Sequence, residues 1–339
     1  MKSQDIYTLG IESSCDDTSA SILLNDKVLS NVTSSQDIHK IYGGVVPELA
    51  SREHQKLITS VVNEAIIRAG INKSELNTVA FTRGPGLLGS LLVGTSFAKS
   101  LSIGLNIPLI EVNHMQAHIL SIFIKNNNKK PCFPLLALTI SGGHTQLVVV
   151  KDYFKMEEIG STLDDAVGEA FDKSGKTIGL DYPSGPIIDR LSKDGDPNAF
   201  TFTKPKVENL NFSFSGLKTG FMNFIKKESL KNRNFIEDNI NDICASIQNT
   251  IIEILIDKLN DAVKSTGIKE IVICGGVSAN SELRKKMDDL SVSNKWNVYF
   301  PKIEYCTDNA AMIGIVGYLK YKNREISDLS CSSTSRYKI

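Results

Sequence analysis

The chain carries no net charge, has few histidines and never pairs its cysteines. Lys+Arg and Asp+Glu both number 38. That excludes bulk polycation attraction as a way to grip nucleic acid. Only local clusters remain: Lys125/Lys129/Lys130, Lys226/Lys227/Lys231/Arg233 and Arg284/Lys285/Lys286. Solvated surface is the ordinary reading of such runs. The six cysteines, Cys15, Cys132, Cys244, Cys274, Cys306 and Cys331, form no C-x-x-C pair. That argues against a zinc ribbon or a thioredoxin-like motif. Several sit in apolar runs such as Ile271-Val272-Ile273-Cys274, the usage of a reduced, cytosolic protein. No unbroken apolar run reaches the roughly 18 residues of a membrane span. The opening Met1-Lys2-Ser3-Gln4-Asp5 has neither a signal-peptide core nor an Arg/Ser-rich amphipathic stretch. The expectation is a cytoplasmic protein with no membrane partner.

At 339 residues with 41% hydrophobic and 22% charged content, the chain is an ordinary globular composition, long enough for two lobes. Ile6–Ile11 reads as a strand, Glu12–Thr18 as a polar turn, Ser19–Leu24 as the returning strand and Lys27–Thr33 as a third. A helix over Pro47–Ala69, a strand over Asn77–Thr82, a helix from Leu87 to Ile103 and a strand over Pro108–Val112 follow. A second round opens with a strand over Pro134–Ile140, a turn at Ser141–Thr145 and a return over Gln146–Val150. Helices are expected over Asp164–Lys176, Ile187–Ser192, Gly216–Ile225 and Phe235–Thr266. Then come a strand at Glu270–Cys274, a helix over Asn280–Leu290, a strand at Val298–Pro301 and a helix over Asn309–Tyr321. The repeated order predicts a duplicated α/β fold: a first lobe over 1–130, a second over 131–325 and a frayed Ser-rich tail over 326–339. The last helix, 309–321, is a candidate to pack back on the first lobe. Ligands are expected in a central cleft between the lobes, at strand ends and helix N-termini.

Two of the five histidines, His114 and His118, stand four apart. On a helix that spacing puts both imidazoles on one face, one turn apart, where they can share a metal ion; a pair of polar groups in a half-buried turn has the same pattern. The zinc-protease signature H-E-x-x-H needs its Glu as general base. Met115 holds that position, and a thioether cannot take a proton from water. Three further turns have phosphate-loop composition: Gly10–Thr18, Ser141–Thr145 and Gly275–Asn280. Glycine lets backbone N–H groups approach an anion closely, and the third turn leads into a helix N-terminus. A hairpin is the plain alternative for any one of them.

Nine strings, in order, carry a resemblance to a known family. They are Gly10–Thr18, Tyr42–Arg52, Gly84–Leu91, Asn113–His118, Ser141–Thr145, Asp164–Lys173, Ser213–Lys218, Gly275–Asn280 and Cys306–Met312. Over nearly its whole length the chain resembles the tRNA adenosine threonylcarbamoyltransferase (TsaD) family, formerly grouped as O-sialoglycoprotein endopeptidases (Gcp). The resemblance implies a two-lobed fold like that of actin, the heat-shock ATPases and sugar kinases. It implies transfer of threonylcarbamoyl from threonylcarbamoyl-AMP to N6 of the adenosine 3′-adjacent to the anticodon, in tRNAs reading ANN codons, with release of AMP.

It also implies site residues. His114, His118 and Asp308 would hold one divalent metal ion per subunit, Fe(II) first and Zn as the alternative. A His/His/Asp set leaves open positions for a substrate oxygen. Asp308 comes from the far end of the chain, so the ion is expected to bridge the lobes; alone, Asp308 reads as a helix N-cap. The adenylate is placed against Thr139, Ile140, Ser141, Gly142, Gly143, Asp172, Gly185, Asp189 and Asn280, with His144 as a further ligand or phosphate contact. No catalytic role is assigned beyond the metal site. The family's Tyr-Pro-Gly-Gly-Pro loop reads Tyr182-Pro183-Ser184-Gly185-Pro186 here, which is tolerable if Ser184 has negative φ. The implied partners are tRNA, TsaB-type and TsaE-type proteins and a TsaC-type enzyme that makes the adenylate, with the first lobe's helices as the expected pairing surface. A small-molecule kinase or ATPase of the same fold, a metalloprotease and an actin-like assembly module are the rival readings.

Overall fold

The structure, a computed structural model, describes residues 5–126 and 129–339, with Lys40 described by its backbone alone; the expected approach Met1–Gln4 lies outside them. The chain divides into two compact units, Met1–Lys130 with Pro301–Ile339, and Pro131–Phe300. The expected boundary at 325 therefore falls at 300, and the last helix belongs with the first unit.

The first unit opens with β1 (Tyr7–Glu12), β2 (Asp17–Leu24) and β3 (Lys27–Ser35), then a short helix α1 (Ile38–Tyr42) and the long α2 (Pro47–Ala69). β4 (Thr78–Gly84), α3 (Leu88–Leu105), β5 (Leu109–Asn113) and α4 (His114–Leu120) complete it before residue 130. The sheet order is β3-β2-β1-β4-β5, with β1 antiparallel to β2 and parallel to β4. α2 starts on Pro47 and ends at Gly70, whose φ of 70° supplies the left-handed C-terminal stop. Its apolar face, Ile58, Val61, Val62, Ala65 and Ile66, packs with Leu9, Ile11, Ile22 and Phe81 of the sheet.

The second unit repeats this plan. It runs β6 (Leu135–Ile140), β7 (Thr145–Asp152), β8 (Lys155–Ser161), α5 (Val167–Thr177), α6 (Gly185–Leu191), α7 (Ser215–Lys231) and α8 (Phe235–Thr266). β9 (Glu270–Cys274), α9 (Ser281–Asn294) and β10 (Asn297–Tyr299) follow. Its order, β8-β7-β6-β9-β10, matches the first sheet strand for strand. The sequence reading missed β8 because this edge strand is largely exposed and rich in Lys and Glu, so it lacks an apolar alternation. It also began α5 three residues early. Asp164 accepts hydrogen bonds from Ser213 Oγ, Phe214 N and Ser215 Oγ at 2.6–2.8 Å, and so is committed to the start of α7.

The final helix, α10 (Ala310–Lys322), lies on β1 and β4 of the first unit. Glycines make this approach possible. A Cβ on Gly10 would sit 2.3 Å from the Ala310 carbonyl oxygen and 2.6 Å from the Gly314 nitrogen. The tail beyond it is not frayed. Ser333 is buried and its hydroxyl meets Thr95 Oγ1 at 2.6 Å. Thr334 N donates to Arg83 O at 3.0 Å, and Tyr337 lies under the Arg83 guanidinium at 4.8 Å. These partners are far away in sequence, so composition alone could not show them.

One described helix, α3, has the length and mean hydropathy (1.3) of a membrane span. Ser, Gly, Thr and Lys interrupt it, and Ser90, Leu91, Gly94, Thr95, Ala98 and Ser102 are buried within the unit.

Candidate functional site

α4 is short, and its first residue already carries chemistry. Asn113 ends β5 and caps α4, its Oδ1 accepting from Met115 N at 2.9 Å and Gln116 N at 3.2 Å. Its Nδ2 donates to Tyr337 O and Lys338 O at 3.1 and 3.0 Å. One amide thus ties the start of the His-bearing helix to the C-terminal segment. His114 and His118 lie on the same face of α4, both buried, their rings 4.7 Å apart and nearly perpendicular. Met115 is buried as well, so the position of a protease's Glu is core.

Asp308 precedes α10. The residue that caps α10 is Asn309, whose side chain accepts from Met312 N at 3.1 Å. The N-cap reading of Asp308 is thereby excluded, and its carboxylate faces the histidines. Asp308 Oδ1 stands 3.1 Å from His118 Nε2 and 3.5 Å from His114 Nε2, and the two Nε2 atoms are 3.2 Å apart. Ligands bonded tetrahedrally at about 2.0–2.1 Å stand about 3.4 Å from one another. The three donor atoms are therefore spaced to share one ion, and the donor set of two imidazoles and a carboxylate suits a first-row divalent metal. His118 Nδ1 is buried without a hydrogen-bond partner. All three residues belong to the first unit. The expectation of an ion bridging the lobes is corrected: α10 returns Asp308 to the unit that carries α4.

Electrostatics hold the cluster charged in the metal-free chain. Burial lowers the affinity of His114 for a proton, but the Glu12 and Asp308 carboxylates outweigh it and raise its pKa to about 10. Burial acts to raise the Asp308 pKa, yet the two histidines hold it well below the ordinary carboxylate value. Sequence reasoning did not single out Glu12. A single carboxylate ending a strand gives no local signal, and only tertiary contacts with Thr82 of β4 and His114 of α4 show its place. The Gly10–Thr18 turn, expected as a phosphate loop, is placed here: Ser14 Oγ lies 3.3 Å from His114 Nδ1, and Ser14 O accepts from Leu87 N at 2.7 Å.

The adenylate set lies wholly in the second unit. Thr139 and Ile140 are the buried end of β6. Ser141 is half-buried, while Gly142 and Gly143 are exposed, and a Cβ on either would meet nothing within 4 Å. Gly168 at the start of α5 packs against this loop, and its N–H donates to Ser141 O at 3.2 Å. Gly275, at φ 91°, approaches the Ile140 carbonyl so closely that a Cβ would stand 2.4 Å from its oxygen. Asp172 accepts from Ser184 N at 2.8 Å beside Gly185, and burial pushes its pKa up. Ser184 has φ −81°, so the extra Cβ is accommodated. Asp189 accepts from Ser281 N and Oγ, next to Asn280. Asn280 caps α9 through Leu283 N at 2.9 Å and donates to Gln248 Oε1 at 2.7 Å. Two pairs thus form at the two ends of α6: Asp172 with Gly185, and Asp189 with the start of α9. His144 lies in the second unit, outside the metal cluster.

The basic clusters fare unequally. Lys130 pairs with Asp26 at 3.2 Å, Lys231 with Glu228 at 2.7 Å, and Arg284 stacks on Phe300 at 4.5 Å; Lys226 and Lys227 are exposed on α7.

A family model described as TsaD, tRNA N6-adenosine threonylcarbamoyltransferase, matches residues 27–315. A protein of that name from Christiangramia forsetii is 60% identical over 339 residues, covering all of both chains. Another from Riemerella anatipestifer is 60% identical over 332 residues, covering 98% of this chain and 97% of its own. Among solved structures, component A of the Acidaminococcus fermentans (R)-2-hydroxyglutaryl-CoA dehydratase aligns with a TM-score of 0.54 at 15% identity, over 94% of this chain and 99% of its own. The ROK hexokinase from Thermus thermophilus aligns at 0.53 and 13% identity, over 94% and 100%. These two likenesses concern the fold, that of the actin, heat-shock ATPase and sugar kinase group.

Proposed function

The chain belongs to the tRNA N6-adenosine threonylcarbamoyltransferase family, and from that membership we propose how its two sets of residues divide the reaction. The enzyme is a transferase that makes threonylcarbamoyladenosine in tRNA, with tRNA and threonylcarbamoyl-AMP as substrates. The adenine N6 amine attacks the carbamoyl carbonyl, a C–N bond forms, the C–O bond to phosphate breaks, the amine loses a proton and AMP leaves.

The observation that carries the proposed division is the convergence of His114, His118 and Asp308 within one unit. These three hold the metal. When bound, the ion supplies a Lewis acid and a template for the threonylcarbamoyl group; we assign Fe(II) to it, with Zn as the alternative. The loop Ser141–Gly143, following Thr139 and Ile140, holds the adenylate phosphate with its backbone N–H groups and stabilises the charge that grows on the leaving group. Asp172 and Asp189, acceptors when ionised, take the ribose hydroxyls, with Gly185 giving close approach and Asn280 framing the other side. The open space above Gly142 and Gly143 and the clustering of the carboxylates at the ends of α6 support this placement.

The enzyme works in the cytoplasm with a TsaB-type protein on the helices of the first unit, a TsaE-type protein and a TsaC-type enzyme that supplies the adenylate. Exposed Ile67 on α2 and Leu92 and Ile103 on α3 support the first of these contacts. The test is a transfer assay with tRNA, threonine, bicarbonate and ATP, adding partners one at a time. Modified adenosine should form with all of them present; its absence would overturn the reading.

A further inference from the structure

Glu12 is a fully buried carboxylate at the end of β1. Its Oε2 lies 3.1 Å from His114 Nδ1 and accepts from Thr82 Oγ1 at 2.6 Å, and its Oε1 accepts from Ser14 N at 2.5 Å. Three separate elements therefore fix it: its own strand, the parallel neighbour β4 and the turn after β1. A group held this firmly, with one face against an imidazole, can orient that imidazole.

A neutral imidazole has one donor and one acceptor nitrogen. A carboxylate accepts only, so Glu12 draws the proton to His114 Nδ1. When the second proton gives way to an ion, that leaves the Nε2 lone pair facing His118 Nε2 and Asp308 Oδ1, 3.2 and 3.5 Å away. His118 has no such support, because its Nδ1 is buried without a partner. The two ligands are thus unequal: one is held from behind, the other only by its helix and by Asp308.

We propose that Glu12 is a positioning residue of the metal centre, setting the tautomer and ring orientation of His114, with Thr82 and Ser14 N holding Glu12 in turn. The inference rests on the reading of His114, His118 and Asp308 as a metal site. Outer carboxylates of this kind contribute about 10–100-fold to metal affinity.

The test uses the full chain with Zn2+ in competition with a chelator, and Co2+ as a spectroscopic probe. Glu12→Gln should weaken Zn2+ binding by about 10–100-fold and shift the visible bands of the Co2+ form. Thr82→Val, which leaves the carboxylate but removes its donor, should do the same to a smaller extent. Ser30→Ala removes a buried hydrogen bond elsewhere in the same unit, to Ala65 O, and should change affinity less than about twofold. Should Glu12→Gln fail to fold, the Thr82→Val and Ser30→Ala pair decides the matter. Wild-type affinity and an unshifted Co2+ spectrum in Glu12→Gln, whatever its thermal midpoint, would make Glu12 purely structural and overturn the proposal. So would a loss in Ser30→Ala that matches or exceeds that in Thr82→Val. Asp308→Ala separates the metal site itself from the role of Glu12. If it binds Zn2+ as the wild type does, the metal-site reading fails and takes this inference with it; if it loses the ion while Glu12→Gln keeps it, the inference alone fails.

Discussion

The two units share one strand order but prepare their chemistry differently. In the first, the functional side chains already touch one another: His114, His118 and Asp308 converge at 3.1–3.5 Å behind buried Glu12. In the second, the Ser141–Gly143 loop is open, and Asp172 and Asp189 are occupied with backbone and hydroxyl donors of their own unit. A site for a small ion can be preassembled, because a few donors at fixed spacing suffice. A nucleotide needs room, and the loop proposed to hold the adenylate leaves the space beside Gly142 and Gly143 unfilled.

Removing the preassembled cluster should have the largest effect. Asp308→Ala is expected to abolish metal retention and transfer together, measured by metal content after gel filtration and by modified adenosine. Full activity in the metal-free variant would break the contrast. Next, filling the open loop should spare the fold and damage binding. Gly142→Val, with nothing within 4 Å of its Cβ, should leave the thermal midpoint nearly unchanged and raise the KM for the adenylate at least about tenfold. An unchanged KM would move the phosphate elsewhere.

The pH dependence sharpens the first half of the comparison. His114, ordinarily near 6.5, is raised to about 10 in the metal-free chain by its two carboxylates. Its stabilising contribution is therefore full below about pH 6.5 and is lost as pH rises through 10. An incoming ion must displace that proton. Zn2+ affinity should therefore rise about tenfold per pH unit between 7 and 9, read by chelator competition in weakly coordinating buffers; a flat profile would mean His114 is already neutral.

Two stability predictions follow at smaller magnitude. Gly10→Ala forces a Cβ into the backbone of α10 and should cost about 3 kcal/mol of unfolding free energy, with metal affinity falling because Asp308 leads into α10. Removing residues 332–339 strips the Thr95, Arg83 and Asn113 contacts and should cost about 1–3 kcal/mol. A denaturant midpoint unmoved by this truncation would return the tail to the frayed state that its composition suggests.

Legibility in the sequence differed between elements for physical reasons. Strands with apolar runs, such as Ile271–Cys274, and a helix as regularly patterned as Pro47–Ala69 were readable because burial imposes periodicity on them. β8 was not, because an edge strand buries too little. The His114/His118 pair was visible as local spacing on one helix. Asp308 came only through the family resemblance, and the sequence offered a helix cap as its plain reading until Asn309 was found in that role. Glu12 was missed because a single acidic residue at a strand end has no local signature of function.

Taken alone, the amino-acid sequence determined the duplicated α/β plan, the family and the identity of the candidate metal ligands, since these live in periodicity, order and short motifs. Tertiary structure decided which unit the ligands share. It did so by bringing α10 onto β1 through the close approach of Gly10 and Gly314, a contact between residues some 300 apart that no local pattern encodes. By the same packing it put a buried carboxylate behind one histidine of the pair and none behind the other.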